Sequence, residues 1–154
     1  MPKPKVAILI GSKSDEAVIS EAFQYLDYFG IDHELRVLSA HRNPTETAEF
    51  ALRAEKNGFS LIIAGAGMAA HLPGVVASLT TLPVIGVPLS GSELSGVDAL
   101  YSIVQMPPGI PVATVAIGKA GAKNSGVLAA EIIGLSNDNV KQKLVEFRSN
   151  GSKL

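Results

Sequence analysis

The sequence has no cysteine and no tryptophan among its 154 residues. The first absence excludes a disulfide framework, a thiolate metal site and a thiol nucleophile. Aromatic residues make up 5% of the chain, which leaves little with which to stack a flavin. Charged residues are 18%, against about 25% in an ordinary soluble domain. The 13 basic and 14 acidic residues leave a net charge of −1. Nucleic acids and anionic membrane surfaces demand a strong positive field, so neither is an expected partner. Charge is absent altogether from residues 57–92, yet no membrane span is expected there. Six glycines and three prolines (Pro73, Pro83, Pro88) cut that stretch into pieces of strand length. The start Met1-Pro2-Lys3-Pro4-Lys5 has the charge of a secretion signal, but the apolar run at 6–10 is too short for a signal core. A cytoplasmic chain is expected.

What is present is apolar and small. Hydrophobic residues are 47%, with 15 glycines and 9 prolines. A chain of this length buries roughly 70% of its unfolded surface and needs no staples. One α/β domain is expected over residues 1–154, with its core at about 5–150. So few charges cover a monomer poorly, and a homo-oligomer is expected.

Apolar runs alternate with amphipathic segments. Residues 6–10 read as a buried strand. Residues 15–29 read as a helix, with Val18, Ile19, Ala22, Phe23, Leu26 and Phe29 on one face and Gly30 as its stop. A second strand is expected at 34–38 and a second helix at 44–57, capped by Asn43, opened by Pro44 and ended at Gly58. A third strand at 61–64 leads to a glycine-rich loop and a short helix at 75–79. A fourth strand at 84–87, a helix at 97–104, a proline-rich turn at 107–111 and a fifth strand at 112–117 follow. Helices at 122–135 and 139–148 close the chain. Strands alternating with helices predict a three-layer α/β sandwich: a five-stranded, parallel, flavodoxin-like sheet of order 2-1-3-4-5, with helices on both faces.

In such a sheet ligands bind beyond the carboxyl ends of the strands, at the switch in strand order. Three loops meet there. The first is Gly11-Ser12-Lys13-Ser14-Asp15; the second is Ser39-Ala40-His41-Arg42. The third is Gly65-Ala66-Gly67-Met68-Ala69-Ala70-His71-Leu72-Pro73-Gly74. Two of the chain's three histidines, His41 and His71, fall in these loops. Each loop admits two readings. Ser12 and Asp15 serve either as a plain helix start or, with backbone N–H groups, as a phosphate seat. Ser39 and Arg42 extend that seat, or Arg42 is a surface charge. His41 is a proton shuttle or a structural histidine. His71 orients a substrate or bonds a loop carbonyl, and His33 reads as surface. The run from Gly65 to Ala70 formally fits a dinucleotide fingerprint, but it follows the third strand and no acid lies about 20 residues on. It reads better as small residues whose N–H groups approach a planar or anionic ligand. Ala122, Gly126 and Ala130 form a small-residue stripe that suits either packing on the sheet or a subunit contact.

Taken together the stretches GSKSD (11–15), SAHR (39–42), IIAGAG (62–67) and AAHLPG (69–74) resemble the N5-carboxyaminoimidazole ribonucleotide mutase family. LPVIGVP (82–88), YSIVQMP (101–107), GIPVAT (109–114) and AIGKAGAKN (116–124) match in the same order. The resemblance implies an octamer with active sites between subunits, acting on a small-molecule ribonucleotide without a cofactor or metal. It implies that carboxylate moves from the exocyclic nitrogen to ring carbon C4. Ser12, Ser39 and Arg42 would hold the ribose phosphate, Asp15 the ribose hydroxyls, and His41 would act as general acid and base. Gly65, Ala66, Gly67, Ala69, Ala70, His71 and Leu72 would form the substrate-binding loop around the migrating carboxylate. Met68 stands where glycine is usual in this family, Asn43 where threonine is usual, and the segment 90–93 is atypical. Two competing readings are a direct carboxylase of the unsubstituted nucleotide and a non-enzymatic nucleotide- or flavin-binding module on the same fold.

Overall fold

Alternation within the strands decides the architecture. The computed structural model describes residues 2–154. β1 (Lys5–Ile10), β2 (Asp32–Val37), β3 (Leu61–Gly67), β4 (Val84–Leu89) and β5 (Ala113–Thr114) form one parallel sheet of order 2-1-3-4-5. Val6, Ile8 and Ile10, with Leu61, Ile63, Ile85 and Val87, pack into one layer; Ala7, Leu9, Ile62, Ala64 and Val84 pack into the other. Successive strand side chains point to opposite faces, so strands covered on both sides are apolar throughout. The first layer is closed by α1 (Glu16–Ile19), α2 (Phe23–Phe29), α6 (Lys119–Gly134) and α7 (Asp138–Ser149). The second is closed by α3 (Pro44–Arg53), α4 (Leu72–Ala77) and α5 (Val97–Val104). This is the sandwich and the strand order expected from the sequence.

Several elements differ from the expected ones, each for a local reason. The helix expected at 15–29 opens in a tight turn at Lys13–Asp15 and is broken into α1 and α2 by a second at Ser20–Ala22. The second turn coincides with the crossing of α6, where a Cβ on Gly126 would lie 3.1 Å from the Ala22 carbonyl oxygen and 3.0 Å from Tyr25 Cβ. The stripe Ala122, Gly126, Ala129 and Ala130 is therefore buried inside the chain, so of its two readings packing within the domain holds. Asn43 precedes α3 but its side chain does not cap it; Asn43 Oδ1 instead accepts from the Ser39 amide at 3.4 Å. α3 itself ends at Arg53 rather than 57. β5 shrinks to two residues. Beyond it Gly118 N–H still donates to the Pro88 carbonyl at 2.8 Å. That oxygen faces β5, so the N–H that proline lacks is missing from the same side and the ladder stops. His33 is not a free surface group: its ring packs against Phe23, tilted by 50° at 4.6 Å between centroids, and lies 3.9 Å from Asp27.

Two features fix the carboxyl ends of the strands. β3 runs on through Gly65, Ala66 and Gly67, which pair with Val87, Pro88 and Leu89 of β4. The first three of the ten residues of the expected loop are thus sheet. On β4, a Cβ at Gly86 would meet Ile103 Cγ2 at 2.4 Å and Val112 Cγ1 at 2.8 Å, so α5 can approach the sheet only over glycine. Among the described residues no helix is long and apolar enough to cross a membrane.

Candidate functional site

A cavity of about 490 Å³ lies where β1, β2 and β3 end. The first wall follows β1. Ser12 is in extended backbone and its hydroxyl accepts from the Ser14 amide, while the two serine hydroxyls lie 2.9 Å apart. Asp15 N–H donates to the Ser12 carbonyl at 3.0 Å, closing the turn. Burial pushes the Asp15 carboxyl above the ordinary aspartate range, partly offset by a hydrogen bond with the Ser12 backbone. Ser14 and Gly11 also line the cavity.

The second wall follows β2 and is stapled from below. Thr47 is fully buried on α3 and its hydroxyl donates to the Ser39 carbonyl at 3.2 Å. Asn43 N–H donates to the same oxygen at 2.8 Å. Ser39 Oγ accepts from the Arg42 amide at 3.1 Å. These bonds hold the turn 39–42 in one shape and leave His41 and Arg42 projecting as exposed side chains. Among the described residues Arg42 takes part in no salt bridge. An exposed guanidinium without a carboxylate partner is open to an anion.

The third wall follows β3. After Gly67 the chain turns through Met68, Ala69 and Ala70 and enters α4, with His71 at the N-cap position. His71 N–H donates to the Ala69 carbonyl at 2.8 Å. Its ring reaches across the cavity: His41 Nε2 and His71 Nδ1 are 2.8 Å apart and the two rings stand at 89°. One of these nitrogens carries the proton and the other presents a lone pair, so each ring sets the tautomer of the other.

Ten of the twelve expected site residues line this one cavity: Ser12, Asp15, Ser39, His41, Arg42, Ala66, Gly67, Ala69, His71 and Leu72. Gly65 and Ala70 lie beneath it. Gly65 is within β3, where a Cβ would meet Ile19 and Leu89, and Ala70 is packed in the core. Five more residues line the cavity: Gly11, Ser14, Ala40 and Met68 belong to the three loops expected to meet there, and Gly91 comes from outside them. Ala40 carried a signal, being between Ser39 and His41; Gly91 carried none, because its loop reaches the site only through the β3–β4 pairing. A larger groove of about 800 Å³ lies at the amino ends of β1 and β2, lined by Lys3, Pro4, Gly30, Asn137 and Lys143 among others. It holds no histidine or arginine, whereas two histidines, an arginine and two hydroxyl-bearing turns converge on the smaller cavity, which is the candidate site. Among the described residues no three histidine or acidic side chains gather as metal ligands.

The sequence model of the AIR carboxylase family matches residues 5–153. A relative from Haemophilus influenzae, "N5-carboxyaminoimidazole ribonucleotide mutase", is 53% identical over 150 residues, covering 97% of this chain and 92% of its own. A protein of the same name from Saccharolobus solfataricus is 56% identical over 144 residues, covering 94% and 90%. Among solved structures, "Crystal structure of Treponema denticola PurE" superposes with a TM-score of 0.88 at 28% identity, covering 97% of this chain and 92% of that one.

Proposed function

The chain belongs to the AIR carboxylase family, and from that premise we propose that it is a mutase of purine biosynthesis. It converts N5-carboxyaminoimidazole ribonucleotide to 4-carboxy-5-aminoimidazole ribonucleotide, a reading supported by the name of its relatives, "N5-carboxyaminoimidazole ribonucleotide mutase". The observation that carries the reading is the 2.8 Å His41–His71 contact between a phosphate-type seat and a loop of glycine and alanine.

The chemistry follows from the groups present. Ser12, Ser39 and Arg42 hold the ribose phosphate, and Asp15 bonds the ribose hydroxyls. His41 delivers a proton to the exocyclic nitrogen. The N–C bond breaks, giving carbon dioxide and the amine. Ring carbon C4 then forms a C–C bond to that carbon dioxide, and loss of the C4 proton restores aromaticity. His41 takes this second proton, so it ends as it began. Positioned proton transfer contributes roughly 10²–10⁴-fold. Holding carbon dioxide beside the ring adds at most about 7–11 kcal/mol by proximity. His71 fixes which His41 nitrogen carries the proton. The small-residue turn after β3 receives the migrating carboxylate.

The working form is a cytoplasmic homo-octamer. Eight subunits and the cytoplasm are what the resemblance to the mutase family implies; association itself is supported by the sparse charge of the chain and the apolar face of α5, where Val97, Tyr101 and Val104 recur at helical spacing and are exposed, with Leu94 beside them. The test of activity is turnover of the N-carboxylated nucleotide, followed by absorbance of the C-carboxylated product. The same assay is run with the unsubstituted aminoimidazole ribonucleotide at low bicarbonate. Product from the N-carboxylated nucleotide alone is expected. Product only from the unsubstituted nucleotide and added bicarbonate would overturn the mutase in favour of a direct carboxylase.

A further inference from the structure

Met68 is out of keeping with its own loop. Its neighbours Gly65, Ala66, Gly67, Ala69 and Ala70 carry nothing larger than a methyl group. Its backbone has φ 54, in the left-handed region where a residue with a side chain is strained and glycine is not. The other two non-glycine residues with positive φ among those described are short and polar, Ser95 and Ser152, and neither lines the cavity. The Met68 side chain is also 61% exposed, so core packing does not explain it. It lines the cavity at the end of β3, three residues before His71. Strain of this kind persists where the surrounding structure makes use of it. A flexible, polarisable thioether at the rim of a polar cavity is suited to covering something apolar inside.

The reaction proposed above generates such a species. Once His41 has protonated the nitrogen and the N–C bond has broken, carbon dioxide is uncharged, and no residue grips it as it gripped the carboxylate. Escape at that point leaves the unsubstituted amine nucleotide and a deprotonated His41, a simple decarboxylation. We propose that Met68 is the cover that retains carbon dioxide in the cavity between its release from nitrogen and its capture by C4. Resting on the mutase reading, this assigns the residue to partition between transfer and loss rather than to proton transfer. The methionine side chain suits the role, being unbranched, flexible and polarisable, so it can follow the substrate's shape.

The experiment feeds nucleotide carrying ¹³C in its N-carboxylate to the full-length wild type, Met68→Gly and Met68→Leu, in unlabelled bicarbonate, against an enzyme-free control. It reads the fraction of product that keeps ¹³C and the fraction of substrate that ends as amine. Wild type and Met68→Leu are expected to keep most of the label, and Met68→Gly to lose several-fold more. Glycine suits φ 54, so the thermal midpoint of Met68→Gly is expected at or above that of wild type. A changed partition then reports the missing side chain and not a damaged fold. Equal retention in Met68→Gly and wild type would overturn the cover, as would equal leakage in Met68→Leu and Met68→Gly. A wild type that turns over no N-carboxylated nucleotide would overturn the mutase reading and the cover with it; an active wild type with unchanged partition overturns the cover alone.

Discussion

Replacing His41 by asparagine separates chemistry from stability. The His41 side chain is exposed, and the hydrogen bond that its ring makes among the described residues is the one to His71. A neutral hydrogen bond contributes about 0.5–1.5 kcal/mol net, and an exposed one falls at the lower end. For a chain of this size that moves the thermal midpoint by only about 2–4 °C per kcal/mol. The turn 39–42 keeps its shape, because the bonds from Thr47, Asn43 and the Arg42 amide do not involve the imidazole. Turnover is another matter. Loss of a positioned acid and base costs about 10²–10⁴-fold, or roughly 2.7–5.4 kcal/mol of barrier. Affinity for the nucleotide stays near wild type, since Ser12, Ser39 and Arg42 are untouched. Steady-state kinetics, isothermal titration with the product nucleotide and a thermal melt on the same preparation measure all three. Near-normal turnover in His41→Asn would refute the proton-transfer role. A large loss of thermal stability would refute the reasoning that confines His41 to chemistry.

Three further outcomes are expected. Arg42→Ala should weaken nucleotide binding by about 1.5–3 kcal/mol, the range for a hydrogen bond to a charged group; unchanged affinity in titration would remove Arg42 from the phosphate seat. Gly86→Ala drives a methyl group to 2.4 Å from the buried Ile103 side chain and should destabilise the fold by about 1–3 kcal/mol; an unshifted denaturation midpoint would show that α5 yields freely. The third concerns pH. The hydrogen bond from Lys5 holds the Glu34 carboxyl below the usual glutamate range, with Arg36 adding to the effect. A depressed carboxyl stabilises the fold above its unfolded value, and that contribution is lost as pH falls through the lowered folded value. The difference in thermal midpoint between wild type and Glu34→Gln should therefore shrink on going from about pH 7 to about pH 3; a pH-independent difference would contradict the pairing.

Much of the fold was legible because the central strands β1, β3 and β4 are buried on both faces. A run such as Val6 to Ile10 has no alternative use, and glycine at 30 with φ 73 stops its helix where the sequence says it should. The boundaries that slipped were set by partners distant in sequence. Ser20–Ala22 tightens where Gly126 of α6 arrives, and no local pattern at 20 reveals a residue at 126. Gly65–Gly67 reads as loop by composition, yet β4 supplies a pairing strand and draws those residues into the sheet. Asn43 is a favourable cap by type, but Ser39 competes for its oxygen and wins. The site was legible through its charged and imidazole side chains, which stand out against an apolar chain. What could not be read was which small residues face the cavity. Alanine and glycine look alike in sequence, and Gly65 and Ala70 turn inward while Ala66 and Ala69 line the wall.

In the proposed reaction the ends of β1, β2 and β3 form one nucleotide seat around His41. A crystal structure of the chain with the C-carboxylated nucleotide bound tests it most directly. The expected result has the phosphate against Ser12, Ser39 and Arg42, the C4 carboxylate against the turn after β3, and the base within hydrogen-bond reach of His41. A nucleotide seated instead in the groove beside Asn137 and Lys143, with the His41–His71 pair facing only solvent, would contradict it.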